Sequence, residues 1–284
     1  MKIGVHLPQW GVDATRAGVL SVARAADDAG LDSVWVADHL VHPVNTASTY
    51  PYQSGGTPFE AEDGFLEAFT LLAAVAGATS RVQLGTSVFV LPMREPMQVA
   101  KTVATLDVLS EGRVLLGIGA GWWEEEFRAL GATFARRGRR LDEQIAILRA
   151  LWRDGRLEHH GEFYDFDEVV CEPRPVQPGG PPILVGGMGP PSWRRAGRLG
   201  DGWHAVGAHD ETLVDGLAEV RKLAAEAGRD PEEVGLSTSA LLPDDPERAI
   251  RRLVRLARAG VDHVVLKVPE DTANETCAAI ERLA

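Results

Sequence analysis

The chain has 284 residues, of which 45% are apolar and 25% charged. That composition can close a sizeable core and excludes a disordered chain, and the length suits one α/β barrel of about 250 residues. A net charge of −12 argues against a nucleic acid or an anionic membrane as partner.

Only Cys171 and Cys277 occur, far apart and in no metal-like spacing. No disulfide framework is expected, and the reducing cytoplasm is the expected compartment. Met1 to Val5 leads straight into an alternating apolar segment without a signal-peptide run, and no stretch approaches the 18 or so apolar residues of a membrane span.

Short β-rich runs alternate with longer helical ones. Strands are predicted at Lys2–Leu7, Ser33–Ala37, Val82–Val90, Arg113–Gly119, Pro182–Gly186, Gly202–Val206, Val234–Ala240 and His263–Lys267. Between them apolar residues fall three and four apart, as in Val19, Val22, Ala23 and Ala26, or Leu141, Ile145, Leu148 and Leu151. Eight strands each followed by a helix predict a single-domain (β/α)8 TIM barrel over 1–284, with an open doubly wound sheet as the rival. A weak repeat supports closure. Ala29-Gly30-Leu31-Asp32-Ser33 resembles Ala259-Gly260-Val261-Asp262-His263, with Leu199-Gly200-Asp201-Gly202 as a looser echo. Each reads as a helix end, a capping glycine, an Asp turn and a strand.

Two insertions stand out. A long loop after the second strand, 42–63, carries Tyr50-Pro51-Tyr52 and Ser54-Gly55-Gly56 and reads as a lid or binding loop. Leu157 to Val170 alternates around Phe163, Tyr164 and Phe166, which predicts a small hairpin before strand five.

Candidate chemistry lies at strand C-terminal ends, where a barrel keeps its active site. Asp38-His39 follows the second strand directly, and a histidine there can donate or accept a proton. Its bland alternative is a turn Asp and a hydrogen-bonding His. Gly117, Gly119 and Gly121 alternate along strand four, so a flat ligand could approach the backbone there, unless the glycines serve tight packing. Gly186-Gly187-Met188-Gly189-Pro190-Pro191 runs from strand to turn to helix start, which suits an anion. The block Glu124-Glu125-Glu126 reads as a helix start offsetting the dipole, and Arg136 to Arg140 as a solvated face. His6, His204 and His263 are scattered over strands with no metal-binding spacing, and no metal site is expected.

Taken together, Leu84-Gly85-Thr86-Ser87-Val88, Leu106-Asp107-Val108-Leu109-Ser110-Glu111-Gly112-Arg113, Gly117-Ile118-Gly119-Ala120-Gly121-Trp122 and Glu126-Phe127 resemble the luciferase-like monooxygenase superfamily, especially its F420-dependent oxidoreductases. The resemblance extends over nearly the whole chain. It implies the same barrel, coenzyme F420 as cofactor (FMN being the alternative), a small-molecule substrate and a homodimer. By the same resemblance Asp38, Ser87, Val88, Val90, Ala120, Gly121, Gly186, Gly187, Met188 and Gly189 bind the cofactor, and His39 donates a proton beside the ring. The Ser87–Val88 bond matches a non-prolyl cis peptide of the family. Trp122 stands where the sugar-phosphate dehydrogenases of the group carry a catalytic glutamate, so that activity is not expected. Tyr50, Tyr52, Trp122 and Trp123 are the candidate substrate pocket, apolar or aromatic in character. The functional rivals are an FMN-dependent monooxygenase, a metal-assisted barrel hydrolase using His6, His39 and His204, and a non-catalytic cofactor carrier.

Overall fold

The computed structural model describes the chain except residues 53–55, 58, 207–209, 244, 268–271 and 284, together with the side chains of 210, 246 and 283. Ser54 and Gly55 of the long loop thus lie outside the described residues. The barrel strands are β1 (Lys2–His6), β2 (Ser33–Val36), β3 (Gln83–Thr86) with β4 (Phe89–Val90), β5 (Val114–Gly119), β8 (Ile183–Gly186), β9 (Gly202–Val206), β10 (Gly235–Leu241) and β11 (His263–Lys267). All pair in parallel, β1 pairs with β11, and the remaining gap is shut by Leu84↔Val114 and Gly85↔Leu115 between β3 and β5. The sheet is therefore closed, and the open doubly wound alternative falls. The predicted third strand, 82–90, is broken after Thr86. Its tip β4 re-pairs further along β5, Phe89 with Ile118 and Val90 with Gly119.

Helices cover the outside: α1 (Arg16–Ala29), α2 (Ala68–Ala76), α3 (Pro96–Leu109), α4 (Glu124–Ala129), α5 (Arg137–Asp154), α6 (Pro190–Leu199), α7 (Asp210–Glu226), α8 (Pro246–Arg258) and α9 (Ala273–Leu283). The predicted stripes are the buried ones, Val19, Val22, Ala23 and Ala26 on α1 and Leu141, Ile145, Leu148 and Leu151 on α5. β6 (Arg156–His160) and β7 (Asp165–Val170) form the expected antiparallel hairpin before β8. Among the described residues no helix is long and apolar enough to cross a membrane.

The repeat has a physical task. Gly30 and Gly260 are left-handed, with φ of 78° and 87°, a conformation glycine takes without a Cβ penalty. The Asp that follows, two residues after Gly30 and Gly260 and one after Gly200, then clamps the preceding barrel strand. Asp32 accepts from Ile3 N–H at 2.7 Å, Asp262 from Leu236 N–H at 2.9 Å and Asp201 from Ile183 N–H at 2.7 Å. Gly200, the third member, is instead extended with φ −91°. Three carboxylates thus satisfy strand-start donors that would otherwise go unpaired. This is the stability face, opposite the rim where chemistry is sought.

Inside the barrel, Trp35 is fully buried and takes the space that side chains at Gly4 and Gly85 would need. Its ring lies 5.4 Å from that of His204, stacked at 6°.

Candidate active site

Parallel closure puts every strand C-terminus on one rim, and the segments expected there converge around Val88. A Cβ on Gly119 would lie 2.7 Å from Val88 Cγ2, and one on Gly186 2.6 Å from Val88 Cγ1. Val88 therefore sits in a notch left by glycines of two neighbouring strands. Gly121 stands in the same relation to Val90, 2.6 Å from its Cγ1. The Ser87–Val88 peptide is cis, as the resemblance implies.

Gly117, Gly119 and Gly121 show the tight packing that was the alternative to close approach of a ligand. A Cβ at Gly117 would stand 1.9 Å from the Thr86 carbonyl oxygen, so these glycines let the 86–90 segment press onto β5.

Asp38 lies just past the end of β2 and is 3% exposed. Its Oδ2 accepts from Val90 N–H at 2.7 Å and its Oδ1 from Arg94 Nη2 at 2.6 Å. Burial pushes its carboxyl up from the ordinary value, against the pull of Arg94 and the Val90 N–H. Both oxygens thus tie β2 to the displaced tip β4. Arg94 was not singled out in the sequence.

His39 Nδ1 lies 2.8 Å from Glu126 Oε2, and Glu126 Oε1 accepts from Leu40 N–H at 2.7 Å. Glu126 is 1% exposed. A carboxylate so placed can only accept, so it fixes the proton of His39 on Nδ1 and leaves Nε2 for the rim. Nε2 has no protein partner among the described residues. Sequence reasoning missed this role because Glu126 was read as part of an acidic helix start and of the family pattern, with no partner of its own.

Glu125, its neighbour, accepts from Ala47 N–H at 2.7 Å and from Ser48 Oγ at 2.6 Å. The Ser48 hydroxyl, then the Ala47 N–H, hold its carboxyl down at about 2. Trp123, expected as a pocket wall, is 1% exposed and donates from Nε1 to Thr46 Oγ1 at 2.9 Å. Together these residues staple the 46–48 stretch of the long loop to α4. Trp122 stacks on Trp123 at 4.8 Å between centroids, half-buried, with Tyr50 edge-on at 5.3 Å and Tyr52 edge-on to Tyr50 at 5.4 Å. Burial raises the Tyr50 phenol to about 12. His42, edge-on to Trp123 at 4.8 Å, has both ring nitrogens buried without a partner among the described residues. Nothing in the sequence flagged it.

The Gly186–Gly189 turn supplies donors differently from the expectation. Pro190 and Pro191 carry no N–H, and Ser192 and Trp193 N–H both donate to the Gly189 carbonyl. What remains are the N–H groups of Met188 and Gly189, which have no protein partner among the described residues. Gly187 and Gly189 hold φ of 115° and 94°, so the turn itself depends on glycine.

Below the rim, Ser87 Oγ lies 2.7 Å from His204 Nε2, and His204 Nδ1 lies 2.8 Å from Ser237 Oγ. Burial, then His263 and Lys267, lower the His204 imidazole to about 3. It is neutral at pH 7, one nitrogen donating and the other accepting. His6 Nε2 sits 3.3 Å from Ser239 Oγ. His6, His39 and His204 therefore have separate partners, and no group of three metal-binding side chains converges among the described residues.

The model of the luciferase-like monooxygenase family matches residues 2–282. A Mycobacterium tuberculosis protein is 40% identical over 212 residues, 74% of this chain and 72% of its own. The F420-dependent glucose-6-phosphate dehydrogenase of Amycolatopsis mediterranei is 34% identical over 214 residues, which is 74% of this chain and 59% of the dehydrogenase. An F420-dependent secondary alcohol dehydrogenase, solved with an F420–acetone adduct, superposes over 100% of this chain and 98% of its own with a TM-score of 0.79. At 22% identity that likeness bears on the fold. With a closed barrel, a rim of converging strand ends and a match along nearly its whole length, the chain belongs to the luciferase-like monooxygenase family and is an oxidoreductase.

Proposed function

We propose that the protein is an F420-dependent oxidoreductase that moves hydride between the deazaflavin and a small, apolar organic substrate. The observation that carries this reading is His39, whose Nδ1 is fixed by a buried carboxylate while Nε2 is left unpartnered at the rim. Such a group can give or take one proton beside a reacting centre. Bound F420 would supply a carbon centre that carries two electrons as hydride.

The residues fit that cofactor. The free N–H groups of Met188 and Gly189 suit a phosphate oxygen. Val88, Val90 and Ala120 offer an apolar backing for a flat ring, and Ser87, Gly121, Gly186 and Gly187 complete the segments around it. Asp38 acts on the ring through Val90, whose position it holds. Trp122, Tyr50 and Tyr52 then exclude water over the substrate, with Trp123 supporting Trp122 from beneath. An indole at position 122 cannot act as a carboxylate. For that reason we assign a substrate other than a sugar phosphate, although a relative bears that activity by name.

Titrating the apoprotein with F420 and FMN in parallel, followed by fluorescence, tests the cofactor. Tighter FMN binding with oxygen consumption by the reduced flavin would instead make this a monooxygenase. His39→Ala tests the proton. Turnover of reduced F420 against a panel of small ketones and enones is expected to fall at least about a hundredfold, with little change in cofactor affinity. Equal turnover by both proteins would refute the assignment.

A further inference from the structure

α5 and α6 begin side by side at the rim, and a cleft of about 480 Å³ opens between them, lined by Gly138, Arg139, Asp142, Arg194, Arg195 and Arg198. A second cleft of about 480 Å³ continues along the same seam from Arg198 and adds Arg149, Arg153 and Arg229. Seven arginines face this groove against two aspartates, Asp142 and Asp201, in a chain whose net charge is −12.

Some of these charges are used internally. Arg195 pairs with Asp142 and donates to the Gly138 carbonyl at 2.9 Å; Arg139 pairs with Glu162; Arg149 reaches Asp201 at 2.9 Å. Arg194 and Arg198 differ. Both are exposed, neither has a partner among the described residues, and they lie one turn apart on α6. Like charges at that spacing repel, and Arg194 also stands near the positive end of the helix dipole. Arg198 meets the negative end of the dipole in the last turn of α6, but among the described residues no carboxylate pairs with either, which points to an anion from outside. A planar guanidinium matches a carboxylate with two parallel hydrogen bonds. Because α6 is about 15 Å long and the clefts run on from it, the complementary ligand is extended and carries several carboxylates.

The groove starts between the two turns that the proposed function puts at the cofactor. Arg137, beside Gly138, donates from Nε to the Gly121 carbonyl at 2.9 Å. On the other side Pro191 follows directly on the Gly186–Gly189 turn. A cofactor phosphate held by Met188 and Gly189 would therefore direct whatever lies beyond it over the first turn of α6. We propose that the α5–α6 groove binds the oligo-γ-glutamyl tail of the deazaflavin, with Arg194 and Arg198 as the guanidiniums that meet its carboxylates. This rests on the F420 reading above.

The test compares the full chain with the Arg194→Glu/Arg198→Glu double variant. Each is titrated with F420 bearing an oligo-γ-glutamyl tail and with the form that ends at the phosphate. The wild type is expected to bind the tailed form about tenfold more tightly, with the advantage shrinking as salt rises. The double variant loses that advantage yet binds the tail-less form as the wild type does. Equal affinity of the wild type for both forms would overturn the groove and leave the F420 reading standing. If neither form binds, the F420 reading falls, and a fluorescent oligo-γ-glutamate peptide decides the groove. Saturable binding that the double variant abolishes supports it, and no binding by the wild type overturns it.

Discussion

Replacing Glu126 separates what this carboxylate does for the fold from what it does for His39. Glu126→Ala leaves three donors without their acceptor: His39 Nδ1–H and Leu40 N–H, now 2.8 and 2.7 Å from its oxygens, and Val41 N–H at 3.4 Å, which sits on an exposed residue and can turn to water at little cost. An orphaned buried donor costs about 1–3 kcal/mol, and the lost side-chain methylene adds about 1 kcal/mol. The sum is about 5 kcal/mol, which at about 2 °C per kcal/mol for a chain of this size lowers the melting temperature by about 10 °C. Glu126→Gln behaves differently. Its amide oxygen can still accept from Leu40, but its NH2 now faces His39 and selects the tautomer with the proton on Nε2. Most of the stability should return, while turnover stays down by about 10³ or more, as when a histidine is held in the wrong tautomer. Scanning calorimetry and steady-state kinetics on both variants read the two effects separately. If Glu126→Ala melts within about 2 °C of the wild type, the orphaned-donor argument fails. A Gln variant with wild-type turnover would remove Glu126 from the proton chemistry.

Other outcomes follow from single contacts. His204 and His263 sit in the fold at about 3 and about 4, below the 6.5 of a free imidazole. The unfolded chain therefore binds more protons between those values, and stability falls as pH drops below about 6.5. His204→Asn should melt lower at pH 7 but lose less between pH 7 and 5, and a wild-type melting temperature flat down to pH 4.5 would contradict this. Gly117→Ala sets a methyl 1.9 Å from the Thr86 carbonyl oxygen and should cost at least about 2 kcal/mol, seen as a lower denaturation midpoint; an unchanged midpoint would mean that the strands can part there. Gly187→Asp should weaken F420 binding more than Gly187→Ala does, since both share the strained φ of 115° and only one repels phosphate. Equal dissociation constants for those two variants would take phosphate away from the turn.

The barrel was legible because its signals are local. Periodicity exposed α1 and α5, and the repeated Gly-x-Asp turn marked where helices hand over to strands. The turn could be recognised from sequence without knowing that each Asp reaches across to an N–H at the start of a neighbouring strand. The break in the third strand was not legible from periodicity, because Val82 to Val90 reads as one apolar run. Only the Asp38 carboxylate, 52 residues away, shows why its tip is displaced.

Within the site, what stayed hidden were partners rather than actors. Asp38-His39 and the 186–189 turn announce themselves by position at strand ends, whereas Arg94, Glu126 and His204 look like ordinary residues until closure brings them to their partners. The block at 124–126 shows the reason. Three glutamates at a helix start do offset its dipole, and α4 begins there as expected. That sufficient local explanation concealed two distant contacts, Glu125 to the loop at 46–48 and Glu126 to His39. The same short helix thus fixes both the proton-bearing imidazole and the base of the aromatic cover. Loss of α4 order should disable chemistry and enclosure together, even though no residue of α4 needs to touch the substrate.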